Sequence, residues 1–203
     1  QDEECTKKIR ALGRNLLKSA AAYVGWDAKP NDAHVVSLLR TTVLTALQNF
    51  DDESVIAESK VRFNTFLKDS SSLPADLRIP VYFAAVKAGG DQEFDAVIAL
   101  HDKSDLNEEK VRCIRALGNT THVHLLEKLL IWGTAHVRAQ DLMYVMAGVA
   151  NNPKGYDFAW NYLKEQWGNW IKKYGSGNFM LTRFMELGTK GFCAESKAVE
   201  VEA

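Results

Sequence analysis

The sequence is poor in cysteine and lacks any hydrophobic run long enough to span a bilayer. Its three cysteines, Cys5, Cys113 and Cys193, are far apart and include no C-x-x-C pair, which argues against a disulfide framework and favours reduced thiols in the cytoplasm. No apolar run approaches the roughly 18 to 20 residues of a membrane-spanning helix. The N-terminal residues QDEE are polar and acidic and do not resemble a secretory signal. These absences predict a cytoplasmic protein.

An excess of charge of either sign is also missing. The 25 Lys and Arg residues and the 26 Asp and Glu residues leave a formal charge of −1. No basic field is therefore available to attract nucleic acid or an anionic membrane. We expect neither nucleic acid nor a membrane as a partner.

Motifs for catalysis and metal binding are absent as well. The sequence contains no G-x-S-x-G element, Walker loop or dinucleotide fingerprint, and no cysteine stands in a recognisable nucleophile context. The histidines lack the H-E-x-x-H spacing of zinc peptidases and are expected at the surface or with satisfied hydrogen bonds: they are His34, His101, His122, His124 and His136. The sequence predicts no catalytic residue, metal ligand or cofactor site within this chain.

What the sequence does contain is helical periodicity over nearly its whole length. Apolar residues make up 46% and charged residues 25%, as in folded globular proteins, and no segment keeps the alternation of a half-buried strand. Hairpin starts near Asn31, Pro74, Asp105 and Ala139 recur at roughly 30 to 45 residues, which is typical of helical repeats. We predict an all-α, HEAT/armadillo-like superhelix of antiparallel helix hairpins, with about ten helices in a single domain over residues 1–203.

Local signals mark several helix ends. Asp105 with Glu108 three residues later resembles a capping box. Asn152–Pro153 resembles a cap followed by proline in the first helical position. Gly118 and Gly175 are expected to end helices.

An aromatic stripe and one arginine stand out among the helices. The stripe repeats at spacings of three and four, which favours a core position over a surface that stacks bases or sugars: it comprises Tyr156, Trp160, Leu163, Trp167, Trp170 and Tyr174. Arg183 lies in an otherwise apolar segment, so it either pairs with an acid or faces a cavity. Arg78 is a similar case, for which a structural pair is favoured.

Five segments in order carry a family resemblance. They are Tyr23–Pro30 (YVGWDAKP), Ala75–Tyr82 (ADLRIPVY), Glu108–Gly118, Val137–Asp141 (VRAQD), and Asn152–Gly155 (NPKG) leading to Ala159–Trp167 (AWNYLKEQW). Together they resemble the C-terminal helical domain of the gluzincin zinc aminopeptidases, of the puromycin-sensitive type above all and also of the endoplasmic-reticulum and aminopeptidase N types.

The resemblance implies a role and a set of partners. In that family the zinc ion belongs to an N-terminal catalytic domain, and the C-terminal domain caps the active-site cleft and lines the cavity that holds the peptide. This chain is then a fragment without its catalytic domain and its last helices, and it is inactive alone. Its partners are that catalytic domain and peptide substrates, and Arg183 is the candidate for a residue that faces the substrate cavity.

Two other functions remain open from the residues alone. A free-standing HEAT-like scaffold would bind partner proteins on its concave surface. An independent hydrolase is the third hypothesis, although no motif supports it. The first of these is the main alternative to the aminopeptidase fragment.

The missing ligand spacing predicts that the chain binds no stoichiometric zinc and cleaves no peptide, because zinc sites need three or four correctly placed ligands. Elemental analysis of the purified chain should find far less than one zinc per chain. A ratio of about one would contradict this prediction.

Overall fold

The computed structural model describes residues 3–202, and over this range the chain is all-α, without a strand. The helices are α1 (Glu3–Val24), α2 (His34–Asn49), α3 (Glu53–Lys68), α4 (Arg78–Ala88), α5 (Asp91–Lys103), α6 (Asn107–Leu117), α7 (Val123–His136), α8 (Leu142–Ala150), α9 (Tyr156–Tyr174), α10 (Phe179–Thr189) and α11 (Glu195–Glu202). The predicted all-α class is confirmed. None of these helices combines the length and apolar character that a bilayer crossing requires.

The chain divides into two compact units, which meet in sequence between Gly89 and Gly90. Within each unit, helices that follow one another in the chain pack as pairs, for example α1 with α2, α3 with α4, and α9 with α10. Further packing joins α2 to α4 in the first unit, and α6 to α8 and α8 to α10 in the second. This is the neighbour pattern of helical repeats. The single domain over residues 1–203 stays a prediction.

Aromatic side chains fill the core of the first unit. Phe63 and Phe66 of α3 lie against Tyr82 of α4, with ring centroids 6.0 and 5.8 Å apart. The guanidinium of Arg40, on α2, is buried and forms an ion pair with Asp32, with 2.5 Å between nitrogen and oxygen. The loop before α2 is thereby attached to that helix.

In the second unit, two glycines allow α6 and α8 to approach each other closely. Gly118, at the end of α6, faces Gly148 of α8 so closely that a Cβ on Gly118 would lie 2.6 Å from the Gly148 Cα. Gly118 does follow the last residue of its helix as expected, but its φ of −65° is open to any residue. Its small size is therefore required by the approach of the two backbones.

Both predicted N-terminal caps are wrong. Helix α6 begins at Asn107 with Leu106 as its cap residue, and no side chain caps it. Glu108 pairs instead with Arg112, one turn further along, at 2.9 Å.

Asn152 also has a different role from the predicted one. Helix α9 begins at Tyr156, and Gly155 precedes it. The side-chain amide of Asn152 donates to the carbonyl oxygens of Gly118 and Thr120, at 2.9 and 2.8 Å. Those carbonyls follow the end of α6, where the helix supplies no donors, so the amide is used to hold two loops together.

The aromatic stripe of α9 is core in its central part. Trp160, Leu163 and Trp170 are buried, which confirms the core interpretation for these positions. Trp167 is only half-buried, as are the two tyrosines at the ends of the stripe.

Two glycine substitutions of the second unit are expected to have opposite effects. Gly118→Ala should lower the free energy of unfolding by about 2 to 3 kcal/mol, because the new methyl group meets backbone atoms that cannot move aside. Gly168→Ala should raise it by about 0.5 to 1 kcal/mol, because a Cβ there meets no atom within 4 Å and alanine favours the interior of a helix. Urea unfolding followed by far-UV circular dichroism measures both. Equal effects of the two substitutions would contradict the close approach of α6 and α8.

Candidate functional site on helix α10

The candidate residue Arg183 lies on the exposed face of α10. The opposite face buries Leu181, Phe184 and Leu187 in a helix that packs on α8 and α9. Since residues three and four apart share a helix face, Phe179, Arg183 and Glu186 form a second, exposed row, which we call the outer row of α10. Their side chains are therefore available to a ligand.

Local sequence fixes where this row begins. Gly175 ends α9 with a φ of +84°, a conformation that glycine adopts without strain. Asn178 then caps α10, because its side-chain oxygen accepts a hydrogen bond from the Met180 backbone NH at 2.8 Å. The rotation of α10 is set by the contact of Phe184 with Trp170 of α9, with ring centroids 4.8 Å apart.

The guanidinium of Arg183 has an exposed partner. Its Nη1 donates to Glu186 Oε2 at 2.7 Å, and the two side chains are 47% and 57% exposed. Exposed pairs at this helical spacing contribute about 0.2 to 0.5 kcal/mol. Arg183 therefore has an acidic partner in its own helix, and that partner is weak enough for a ligand carboxylate to replace it.

Phe179 belongs to the same row, and the sequence analysis did not identify it as an exposed residue. Its segment reads as an apolar helix, yet the Phe179 side chain is 71% exposed. The spacing of four residues to Arg183 is the signal that places the aromatic ring and the guanidinium on one face.

Helix α11 is attached to α9 by a cluster of charges. Glu200 accepts hydrogen bonds from Lys164, from the indole NH of Trp160 at 2.9 Å, and from Lys197 at 3.1 Å. These bonds, the one from Lys164 first, lower the pKa of Glu200 to about 2. The pKa of Lys197 is raised, chiefly by its hydrogen bond to Asp157.

Two further arginines, Arg78, which the sequence analysis considered, and Arg138, which it did not, contact neighbouring side chains. Arg78 lies with its guanidinium carbon 5.2 Å from the centre of the Phe66 ring. Arg138 donates to Asp141, at 2.8 Å from its Nε, and also to Asn107 at the start of α6. Both contacts join neighbouring segments of the same unit.

No group of three or more His, Cys, Asp or Glu side chains within residues 3–202 is arranged to hold a metal ion. Four of the histidines are exposed. His101 is buried, with its Nδ1 at 2.9 Å from Asp102 and its ring edge-on to Trp132. The expectation of surface or satisfied histidines is therefore confirmed.

Comparison with known proteins identifies the family. Residues 1–203 match the family described as the ERAP1-like C-terminal domain. The chain belongs to this family. The resemblance inferred from the five sequence segments is thus confirmed.

Relatives in three organisms are whole aminopeptidases by name. Aminopeptidase M1 of Arabidopsis thaliana is 30% identical over 99% of this chain and 23% of its own length. Aminopeptidase M1-B of Oryza sativa subsp. japonica is 32% identical over 98% of this chain and 23% of its own length. Puromycin-sensitive aminopeptidase of Caenorhabditis elegans is 25% identical over 98% of this chain and 21% of its own length. The chain spans less than a quarter of each of these relatives.

The charge cluster predicts an acid-sensitive attachment of α11. The folded pKa of Glu200 lies below its ordinary value of 4.5, so its contribution to stability is complete above that pH and is lost as the pH falls towards 2. Glu200→Gln should therefore lower the melting temperature near pH 6, and the difference from wild type should shrink progressively below about pH 4.5. Glu202→Gln, at an exposed position of the same helix, is the control. A difference that is constant with pH would contradict this prediction.

Proposed function

We propose that this chain is the C-terminal domain of a zinc-dependent aminopeptidase, in which it caps the active-site cleft and lines the peptide-binding cavity. The observation that carries the proposal is the match of the whole chain to a C-terminal domain family whose relatives are named aminopeptidases. The described residues do not offer a zinc site of their own. The metal is therefore assigned to a catalytic domain elsewhere in the intact protein, and the chain alone is expected to be inactive.

A capping domain gives specificity through access and through contacts with the part of the peptide far from the metal. The outer row of α10 offers the chemistry for such a contact. A guanidinium binds a carboxylate through two parallel hydrogen bonds, which lysine cannot reproduce. In this proposal Arg183 releases Glu186 and pairs with the C-terminal carboxylate or an acidic side chain of the peptide, while the exposed Phe179 ring lies one turn away.

The main alternative is a free-standing scaffold that binds partner proteins. The open reading frame separates the two. A catalytic segment with H-E-x-x-H upstream of Gln1 supports the aminopeptidase, whereas a start codon near Gln1 would exclude it. The cytoplasmic location stays a prediction from the cysteine content.

Substitution of Arg183 tests the cavity role in the intact enzyme. Arg183→Ala should raise the KM for peptides with a free C-terminus about tenfold, which corresponds to roughly 1.4 kcal/mol. Small aminoacyl amide reporters should be nearly unaffected, because they are too short to reach a remote carboxylate. Steady-state kinetics on both substrate classes measures this difference.

Two control variants separate binding from structure. Arg183→Lys keeps the charge but not the bidentate geometry, so it should restore only part of the affinity. Glu186→Gln removes only the internal partner and should not raise the KM. An equal loss on long and short substrates, accompanied by a lower melting temperature, would assign Arg183 to a purely structural ion pair instead.

A further inference from the structure

A groove of about 500 Å³ lies in the first unit, with walls from α1 and from the start of α3. Its apolar lining includes Leu44 and Leu47 of α2 and Val55 of α3, all of which are buried. Trp26, in the loop that follows α1, lines it as well. Binding sites for small organic molecules typically measure roughly 300 to 1,000 Å³. We call this feature the α1–α3 groove.

Two cations of α1 line the groove without an acidic partner. Arg14 and Lys18 are one helical turn apart, a spacing at which like charges repel each other. Arg14 donates to the backbone carbonyl of Phe50, which carries no net charge. Neither side chain forms an ion pair with any residue in the range 3–202. A bound anion would therefore compensate two charges that the described part of the chain leaves uncompensated.

A carboxylate lines the groove from the α3 side. Asp52 caps α3, because its Oδ1 accepts hydrogen bonds from the Val55 backbone NH at 3.0 Å and from the Ser54 hydroxyl at 2.6 Å. Its second oxygen, Oδ2, accepts no hydrogen bond from residues 3–202. Asp52 therefore keeps one oxygen available to a cationic group of a ligand.

The aromatic part of the groove is held in place by the protein itself. Trp26 follows Gly25, whose φ of +59° is a conformation that glycine adopts without strain. The Arg62 guanidinium lies 5.0 Å from the centre of the Trp26 ring and pairs with Asp27 at 2.9 Å and with Glu58 at 2.7 Å. A ring that is already ordered contributes apolar contact at a low cost in entropy.

Close packing fixes the α1 wall as well. The Phe50 ring lies so closely over Gly13 that a Cβ on this glycine would be 2.5 Å from it. Arg10 of the same helix pairs with Asp51. Helix α1 is thereby attached to the turn between α2 and α3, and its cations keep their position relative to Asp52.

The positive and negative groups of the groove are close to each other. Arg14 is bonded to Phe50, and the two residues from Phe50 to Asp52 span no more than about 7 Å of chain. This arrangement favours a compact zwitterion over a peptide, whose two charged ends are further apart. It also disfavours phosphate and dicarboxylates, because Asp52 would repel their additional negative charge.

We propose that the α1–α3 groove binds a free amino acid with a large apolar side chain. The carboxylate of the ligand pairs with Arg14 and Lys18, and its ammonium group pairs with Asp52. Its side chain lies against Trp26 and the apolar lining. In the proposed aminopeptidase such amino acids are released products, but binding to the groove does not depend on that activity.

Fluorine NMR of the protein from the complete open reading frame, labelled with fluorotryptophan, tests this proposal. The Trp26 resonance is assigned by its loss in the Trp26→Phe variant. L-phenylalanine should shift this resonance saturably, with a dissociation constant on the order of 1 mM, as expected for a ligand of this size. An unchanged Trp26 resonance at millimolar concentrations would overturn the proposal.

Two analogues of the ligand test the charges separately. Phenylpropionate lacks the ammonium group, and phenylethylamine lacks the carboxylate. Each should bind at least about tenfold more weakly than L-phenylalanine, because each loses a charge-assisted hydrogen bond. If either analogue bound as tightly as the amino acid, a zwitterion would not be the ligand and the proposal would fail.

A matched pair of lysine substitutions tests the α1 wall. Lys18→Gln should weaken the binding of L-phenylalanine about tenfold, and its exposed position should leave the fold intact. Lys7→Gln makes the same change in charge at an exposed position about 16 Å away along the helix axis, and it should leave the affinity unchanged. Equal affinities of the two variants would contradict the role of Lys18 and overturn the proposal.

Asp52→Asn tests the α3 wall without removing the cap, since asparagine caps helices as well as aspartate does. The substitution should weaken the binding of L-phenylalanine but not that of phenylpropionate, which has no ammonium group. An equal loss for both ligands would show that Asp52 does not contact the ammonium group, and the proposal would be wrong.

Aminopeptidase activity of the same preparation keeps the two proposals separate. A shifted Trp26 resonance in an inactive protein would support the amino-acid site and count against the proposed function. An unshifted resonance in an active enzyme would have the opposite meaning.

Discussion

Close packing of helix backbones decides which surfaces of this protein remain available. In the second unit, Gly118 and Gly148 bring α6 and α8 together at a distance that no side chain would permit. Helix α8 in turn carries α9 and α10, and the Trp170 ring sets the rotation of α10 through Phe184. Because Phe184 faces Trp170, Arg183 lies on the opposite, exposed side of α10.

The ion pairs of Arg40 and Arg183 differ in how far water reaches them. Arg40 is 3% exposed, donates to the Val24 carbonyl at 3.0 Å and pairs with Asp32. Loss of either group would leave a buried charge without its partner, which is costly. Arg183 is half-exposed and its pair with Glu186 is screened by water. Only the second kind of arginine can exchange its partner for a ligand at little cost.

Two exposed surfaces of the chain pose different physical problems. The outer row of α10 combines an aromatic ring with an ion pair and remains hydrated around its charges. On α1, by contrast, four apolar side chains are exposed, and their contact with water is unfavourable: they are Ile9, Leu12, Leu16 and Tyr23. A mixed surface suits a ligand that comes and goes, as a peptide substrate does.

The sequence by itself determined the fold class, the family and the approximate position of most helices, because apolar periodicity and local turn residues act over short distances. It correctly placed Trp160 and Trp170 in the core. It failed at the cap predicted for α9, since the Asn152 amide donates to the carbonyl oxygens of Gly118 and Thr120, which are 34 and 32 residues away in the chain. It also could not show that Phe179 and Leu16 are exposed. Periodicity states which side chains share a helix face, but only the packing of neighbouring helices decides how much of that face is covered.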